Sequence, residues 1–186
     1  MRVIAGKFRH RQLRAPRSAA VRPTSDRLRE TLFDVLAAAG GIEDSVWLDV
    51  FAGSGAVGIE ALSRGARQVY FIESARDAAA TIRANLRSLG IEEGFEVIER
   101  EAATALRRLD AQAIVADFVF LDPPYKNEAA YEETLGFLSQ SQLLKPATIV
   151  IAEHDKHFAL AGKFGVLERY RELKQGDAVL SFFRKG

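Results

Sequence analysis

The stretch VWLDVFAGSGAVG, residues 46–58, decides how the rest of the chain is read. Val46–Val50 is a compact apolar run, the pattern of a strand buried on both faces. Gly53 and Gly55 permit a tight turn and close approach of a ligand to the backbone. A helix beginning there presents its N-terminal amides to that ligand. Outward from this unit, strands and helices alternate. Strands are predicted over Gln68–Ile72, Phe95–Ile98, Phe118–Leu121 and Thr148–Ala152. Helices are predicted over Ala75–Leu89, near Ala102–Leu109 and around Ala129–Leu138. Upstream, Leu28, Leu32, Val35 and Leu36 form one apolar stripe of a helix over Asp26–Ala39, capped by Thr24 or Ser25 and ended by Gly40-Gly41. The end of the chain differs, because Val166–Leu173 and Ala178–Arg184 flank Gln175-Gly176-Asp177 as an antiparallel hairpin. Residues 2–5 and 11–14 read as a second, small hairpin at the beginning. The expected fold is α/β, a doubly wound and mostly parallel sheet that binds ligands at the carboxyl ends of its strands.

A chain of 186 residues has room for one such domain with a small appendage. Hydrophobic residues at 48% and charged residues at 27% give an ordinary globular balance. No apolar run reaches the length of a membrane span, and the basic beginning lacks the apolar core of a secretory signal. The absence of cysteine excludes disulfides, thiolate metal sites and a cysteine nucleophile. A cytoplasmic protein is expected. The net charge of +1 hides an asymmetry: Arg2, Lys7, Arg9, Arg11, Arg14, Arg17 and Arg22 stand among residues 1–25 with no acid, so the remainder carries −6. The division implied is a basic arm for a polyanion over residues 1–23 and a mildly acidic body over 24–186. Phosphate contacts from such an arm give affinity without reading base sequence. Arg9, Arg11 and Arg22 are expected to matter most, since they flank the small hairpin and the Pro23 turn.

Gly53, Gly55 and Gly58 satisfy a dinucleotide-binding spacing, with Glu73 twenty residues beyond Gly53. Asp49 argues against a dinucleotide through charge, because a pyrophosphate there would meet a carboxylate. S-adenosylmethionine instead brings an ammonium and a sulfonium. Glu73 suits a ribose whose two hydroxyls donate to one carboxylate. Phosphate-loop chemistry is excluded because no Gly-Lys-Ser/Thr follows.

Asp122-Pro123-Pro124-Tyr125 directly follows the fourth strand. Adjacent prolines fix φ and lack N–H groups, so the turn is stiff and its carbonyls accept. With the Asp122 carboxylate they form a rigid acceptor array, and Tyr125 adds a stacking face. An exocyclic amine of a nucleobase fits it. If Asp122 and the Pro123 carbonyl each accept one N–H, the nitrogen is drawn toward tetrahedral geometry with its lone pair on the methyl donor. The base must be flipped or unpaired, and Tyr125 can stack it.

Asp49 to Gly55 followed by Asp122-Pro123-Pro124-Tyr125 resembles the cofactor and catalytic motifs of amino-methyltransferases. The beginning, Arg2-Val3-Ile4-Ala5-Gly6-Lys7 and then Arg22-Pro23-Thr24-Ser25-Asp26-Arg27-Leu28-Arg29-Glu30-Thr31-Leu32-Phe33, is similar to the RsmD family of bacterial 16S rRNA guanine-N2 methyltransferases, and the likeness extends through Glu60-Ala61-Leu62-Ser63-Arg64-Gly65-Ala66. It implies a class I S-adenosylmethionine-dependent, Rossmann-like sheet. It further implies that Asp49, Phe51, Gly53, Ser54 and Gly55 line the methionine moiety and Glu73 the ribose. Asp122, Pro123 and Tyr125 would hold the guanine. Where family members show Asp or Asn before an Ala, this chain has Glu101-Ala102, with the Ala102 amide left to meet the adenine. Arg2, Lys7, Arg9, Arg11, Arg22 and Arg27 would face RNA, the role of Arg27 resting on the resemblance alone. The partner implied is 16S rRNA within a small subunit or its assembly intermediate, with neither membrane nor metal.

His154 and His157 have metal-ligand spacing but no evident third ligand, and read as a solvated loop. Trp47 reads as core. Three rivals share parts of the pattern: a DNA adenine-N6 methyltransferase, a non-catalytic RNA-binding assembly factor, and a nicotinamide dehydrogenase.

Overall fold

The computed structural model describes residues 1–16, 25–124 and 127–186. Thirteen elements run α1 (Asp26–Ala38), β1 (Val46–Val50), α2 (Ala56–Ser63), β2 (Gln68–Ile72), α3 (Arg76–Leu89), β3 (Phe95–Ile98), α4 (Ala102–Ala111), β4 (Ala116–Leu121), α5 (Glu128–Gln140), β5 (Leu144–Asp155), β6 (Lys163–Phe164), β7 (Leu167–Gln175) and β8 (Ala178–Lys185). The eight strands form one sheet in the order β3-β2-β1-β4-β5-β8-β7-β6. Strands β1 to β5 pair in parallel, whereas β8, β7 and β6 add antiparallel at one side. The chain order reverses between β1 and β4, so a crevice opens at their carboxyl ends.

Both faces of β1 are buried, which explains its unbroken apolar run. On one face Trp47 packs between Phe33 of α1 and Phe118 of β4, with ring centroids 5.3 and 4.7 Å away. Helices α2 and α3 complete that layer. On the other face α4 and α5 cover Leu48, Val50, Val119 and Leu121. A Cβ on Gly58 of α2 would stand 2.3 Å from the Phe71 ring, so only glycine lets this helix lie so close to β2.

The beginning of the chain forms less ladder than the sequence predicts. A single antiparallel bridge, Arg2 to Gln12, replaces a two-stranded hairpin. The Ile4 and Ala5 amides turn away to the Glu60 carboxylate, at 2.7 and 2.9 Å, and Gly6 and His10 take positive φ. Val3 and Leu13 are buried in the same core as α1 and α2, so this segment is packed onto the body. Glu60 is the anchor. Fully buried in α2, it also takes Arg64 Nε–H at 2.8 Å and faces Arg29 Nε at 3.9 Å. Arg29, also fully buried, donates to the Arg2 carbonyl and to Asp26.

Two further differences concern the end. Strand β5 begins four residues before the predicted start and reaches Asp155, so His154 lies inside a strand and is buried. Its Nε2 is 3.0 Å from the Ser181 hydroxyl, and Tyr131 and Phe158 pack around the ring. The solvated-loop reading of His154 is therefore wrong, and the error came from reading β5 as ending at Ala152. The two-residue strand β6 was also not foreseen, being too short to carry periodicity.

Replacing Glu60 with alanine strands the buried Arg29 guanidinium and two backbone amides. The expected cost is about 3–5 kcal/mol, read from urea unfolding. An unchanged midpoint would show that this carboxylate does not hold the segment.

Candidate active site

Parallel pairing of Val50 with Leu121 sets the ends of β1 and β4 side by side, and the two motifs meet there. Asp49 is buried, and its Oδ2 accepts the Gly58 amide at 2.9 Å. Burial pushes its carboxyl up to about 7, against the pull of the Gly58 amide and with a further push from Glu73. At physiological pH the group is poised to ionise fully when a cation arrives. Phe51, with φ 63, turns the chain out of the strand into the left-handed region that L-residues seldom occupy. Gly53 and Gly55 follow with φ 56 and 76, and a Cβ on Gly53 would meet nothing within 4 Å, so the space over the loop is open.

Glu73 sits just past β2 and braces this loop. Its Oε2 accepts the Gly53 amide and its Oε1 the Ala75 amide, both at 2.8 Å. Each oxygen keeps a further lone pair for a hydroxyl donor. From α3, buried Asn85 donates to the Ser54 carbonyl at 3.0 Å. The Ser54 hydroxyl lies 3.4 Å from Met1 Sδ.

Asp122 follows β4, its amide 3.4 Å from the Val50 carbonyl. Its carboxyl is held well above the ordinary range, first by burial and then by the charges of Glu153 and Asp49. The residue is half-buried, at the rim of the crevice. Pro123 is buried and Pro124 exposed, and the Pro124 carbonyl accepts the Asn127 amide at 2.8 Å, closing the turn. Tyr125 lies outside the described residues. Glu153 of β5, beside Asp122 in the sheet, was not singled out as a site residue in the sequence. Its only signal was an acid directly after the apolar run Ile149–Ala152.

A groove of about 250 Å³ opens between α4 and α5, with Phe51, Glu101, Ala102, Arg107, Glu133 and Phe137 among its lining. Glu101 is the N-cap residue of α4 yet its side chain caps nothing, unlike a shorter acid, which would reach the helix amides. Its carboxylate and the first amides of α4 are thus available at the groove.

The basic residues are dispersed by comparison. Arg2 is exposed and pairs with Asp26 at 3.4 Å, Arg11 donates to the Ser88 carbonyl, and Lys7 lies over the Phe8 ring. Arg9 and Arg27 are exposed, and Arg22 lies outside the described residues.

Residues 1–184 match a family model described as Conserved hypothetical protein 95. The chain is 37% identical over 185 residues to Ribosomal RNA small subunit methyltransferase D of Escherichia coli, covering 100% of this chain and 90% of that protein. It is 40% identical over 157 residues to the protein of the same name from Haemophilus influenzae, covering 84% and 79%. Among solved structures, the yhhF protein of Escherichia coli superposes with a TM-score of 0.84 at 32% identity, covering 100% of this chain and 97% of the other. The sheet, with its antiparallel hairpin, is the class I Rossmann-like methyltransferase fold. With a match that spans nearly every residue, the chain belongs to the family that this model defines, the RsmD family of methyltransferases.

Proposed function

We propose that this chain transfers a methyl group from S-adenosylmethionine to the exocyclic N2 amine of a guanine in 16S rRNA, presented by a small subunit or its assembly intermediate. The observation that carries the reading is the adjacency of two corners: the buried Asp49 beside its glycine loop, and the proline-stiffened Asp122 turn one strand away. The curated relatives named for small-subunit rRNA methylation support the substrate. We assign residues 1–23 as an RNA-binding arm on a methyltransferase domain of residues 24–186.

The site fits the cofactor on its own terms. The buried Asp49 carboxylate favours a cation, the open loop leaves room above Gly53, and Glu73 retains acceptor capacity for a ribose. Phe51, Ser54 and Gly55 complete the loop, and Glu101 with the Ala102 amide faces the groove where an adenine fits. When bound, S-adenosylmethionine supplies a methyl carbon activated by a sulfonium leaving group. Asp122 and the Pro123 carbonyl accept the two amine hydrogens and aim the lone pair, while Tyr125 stacks the base. Asp49 and Glu73 would hold the cofactor, and its sulfur would leave with the carbon–sulfur electron pair as the nitrogen takes the methyl carbon. Asp122 in its ionised form can take the proton that the nitrogen then sheds. Arg2, Lys7, Arg9, Arg11, Arg22 and Arg27 provide the phosphate contacts.

Asp122→Ala is expected to lower turnover by about 10²–10³ or more while leaving S-adenosylmethionine affinity within a few-fold of the parent, measured by methyl incorporation and calorimetry. Parallel loss of both would show that the turn holds cofactor rather than base. Digestion of the labelled RNA should give N2-methylguanosine; N6-methyladenosine would move the reading to an adenine enzyme.

Cofactor affinity should rise with pH through about 7, because the cation binds the ionised form of Asp49, and fall again above about 8 as the cofactor's own ammonium loses its proton. Titrations between pH 5.5 and 8.5 check this, and a flat profile would remove Asp49 from the ammonium site.

Arg9→Ala touches no packed group. It should weaken subunit binding and reduce the slope of log affinity against log salt by roughly 0.7–0.9. An unaltered slope would take Arg9 out of the phosphate contacts.

A further inference from the structure

Asn85 is a polar residue at a core position of α3. Its stripe of buried neighbours is Ala78, Ala79, Ile82, Leu86 and Leu89, and Asn85 itself is fully buried. A buried amide must find partners, and this one finds them in two different segments. Its Oδ1 accepts the Arg14 amide at 2.8 Å, and its Nδ2 donates both to the Arg14 carbonyl and to the Ser54 carbonyl, each at 3.0 Å. The orientation is fixed by these partners: an acceptor is required by the Arg14 N–H and donors by the two carbonyls, so the flipped amide would be repelled at all three. Toward Arg14 the side chain behaves like a neighbouring strand, satisfying both N–H and C=O of one residue. Toward Ser54 it holds the centre of the glycine loop.

The other end of the same arm reaches the same residue. Met1 Sδ lies 3.4 Å from the Ser54 hydroxyl, and the Met1 carbonyl accepts the Leu13 amide, so the two ends of residues 1–14 are tied together. Arg11 is bound to the Ser88 carbonyl, one turn beyond Asn85 on α3, and Ser88 in turn donates to the Asn85 carbonyl. Ordering the arm therefore orders the peptide that carries Ser54, and the reverse holds equally.

We infer that Asn85 is a positioning residue that joins the basic arm to the glycine loop, so that RNA on the arm and cofactor on the loop each tighten the other's binding. The inference rests on the function proposed above. Its physical basis is preorganisation: a loop already held by an immobilised arm has less freedom to lose when ligand arrives. Linkage requires the two enhancements to be equal.

The test measures the dissociation constant of S-adenosylmethionine for the full chain, alone and saturated with unmethylated small ribosomal subunits. In the parent the ratio is expected to be about 5 or greater, the lower end of ordinary coupling. Asn85→Asp keeps the acceptor for Arg14 N–H and removes both donated bonds, and should bring the ratio to about 1 while the chain still binds each ligand. A merely structural role would weaken both bindings and leave the ratio intact, which would overturn the inference. Hydrogen exchange on the unmodified chain gives a second measurement that needs no variant. Subunits should slow exchange of the Gly53, Gly55 and Gly58 amides, and unchanged rates with subunits bound would overturn the inference as well. A parent that methylates RNA with a ratio of 1 sinks this coupling alone, whereas a parent that binds no cofactor sinks the function.

Discussion

The parallel register between β1 and β4 is the constraint from which the site follows. Pairing Val50 with Leu121 puts the end of one apolar run beside the end of the other, so the glycine loop and the proline turn emerge into one crevice. A shift of one residue in either strand would exchange its faces and carry Asp49 or Asp122 to the wrong layer. The register is secured by the core on both sides. Trp47 is gripped between Phe33 and Phe118 on one face, and Leu48, Val50, Val119 and Leu121 lie under α4 and α5 on the other. Packing far below the crevice thus sets the geometry of the chemistry.

Three carboxyl groups, those of Asp49, Asp122 and Glu153, lie near the carboxyl ends of three neighbouring strands. Gathering like charges in a partly dry place is unfavourable, and the raised proton affinity of Asp49 and Asp122 is its signature. The cost is the kind that proteins carry at functional sites. Glu60 and Glu73 manage their burial differently. Glu60 is surrounded by amides and guanidinium groups, and Glu73 spends its oxygens on loop amides, so neither presents an unanswered charge.

Much of this was legible in the sequence. Every parallel strand and all five helices were placed within a few residues, because apolar runs bounded by glycine or capping residues leave few alternatives. The glycine loop and the Asp122 turn were found for the same reason: each needs residue types that ordinary packing does not select. What escaped was relational. Glu60 and Asn85 are polar residues inside apolar helical stripes, a detectable signal, but the backbone groups that their side chains hold lie 55 or more and 31 or more residues away in the chain. The beginning of the chain read as a small hairpin beside the main domain because nothing local shows that the Ile4 and Ala5 amides would prefer a carboxylate on α2 to a facing strand. His154 was misjudged because the antiparallel partner that buries it, β8, comes more than twenty residues later.

The margins of the sheet bear on how the molecule behaves at high concentration. One margin is β3, only four residues long and bearing Glu96, which pairs with Arg108; the other is β6, two residues long and headed by Lys163, which pairs with Glu168. Strand β6 covers only Leu167 and Glu168 of β7, and the open stretch beyond them carries Arg169, Arg171, Glu172 and Lys174, charges that discourage another strand from pairing there. A molecule that added a strand at either margin would have to bury these charges, so sheet-to-sheet growth is resisted by charge more than by the shortness of the edges.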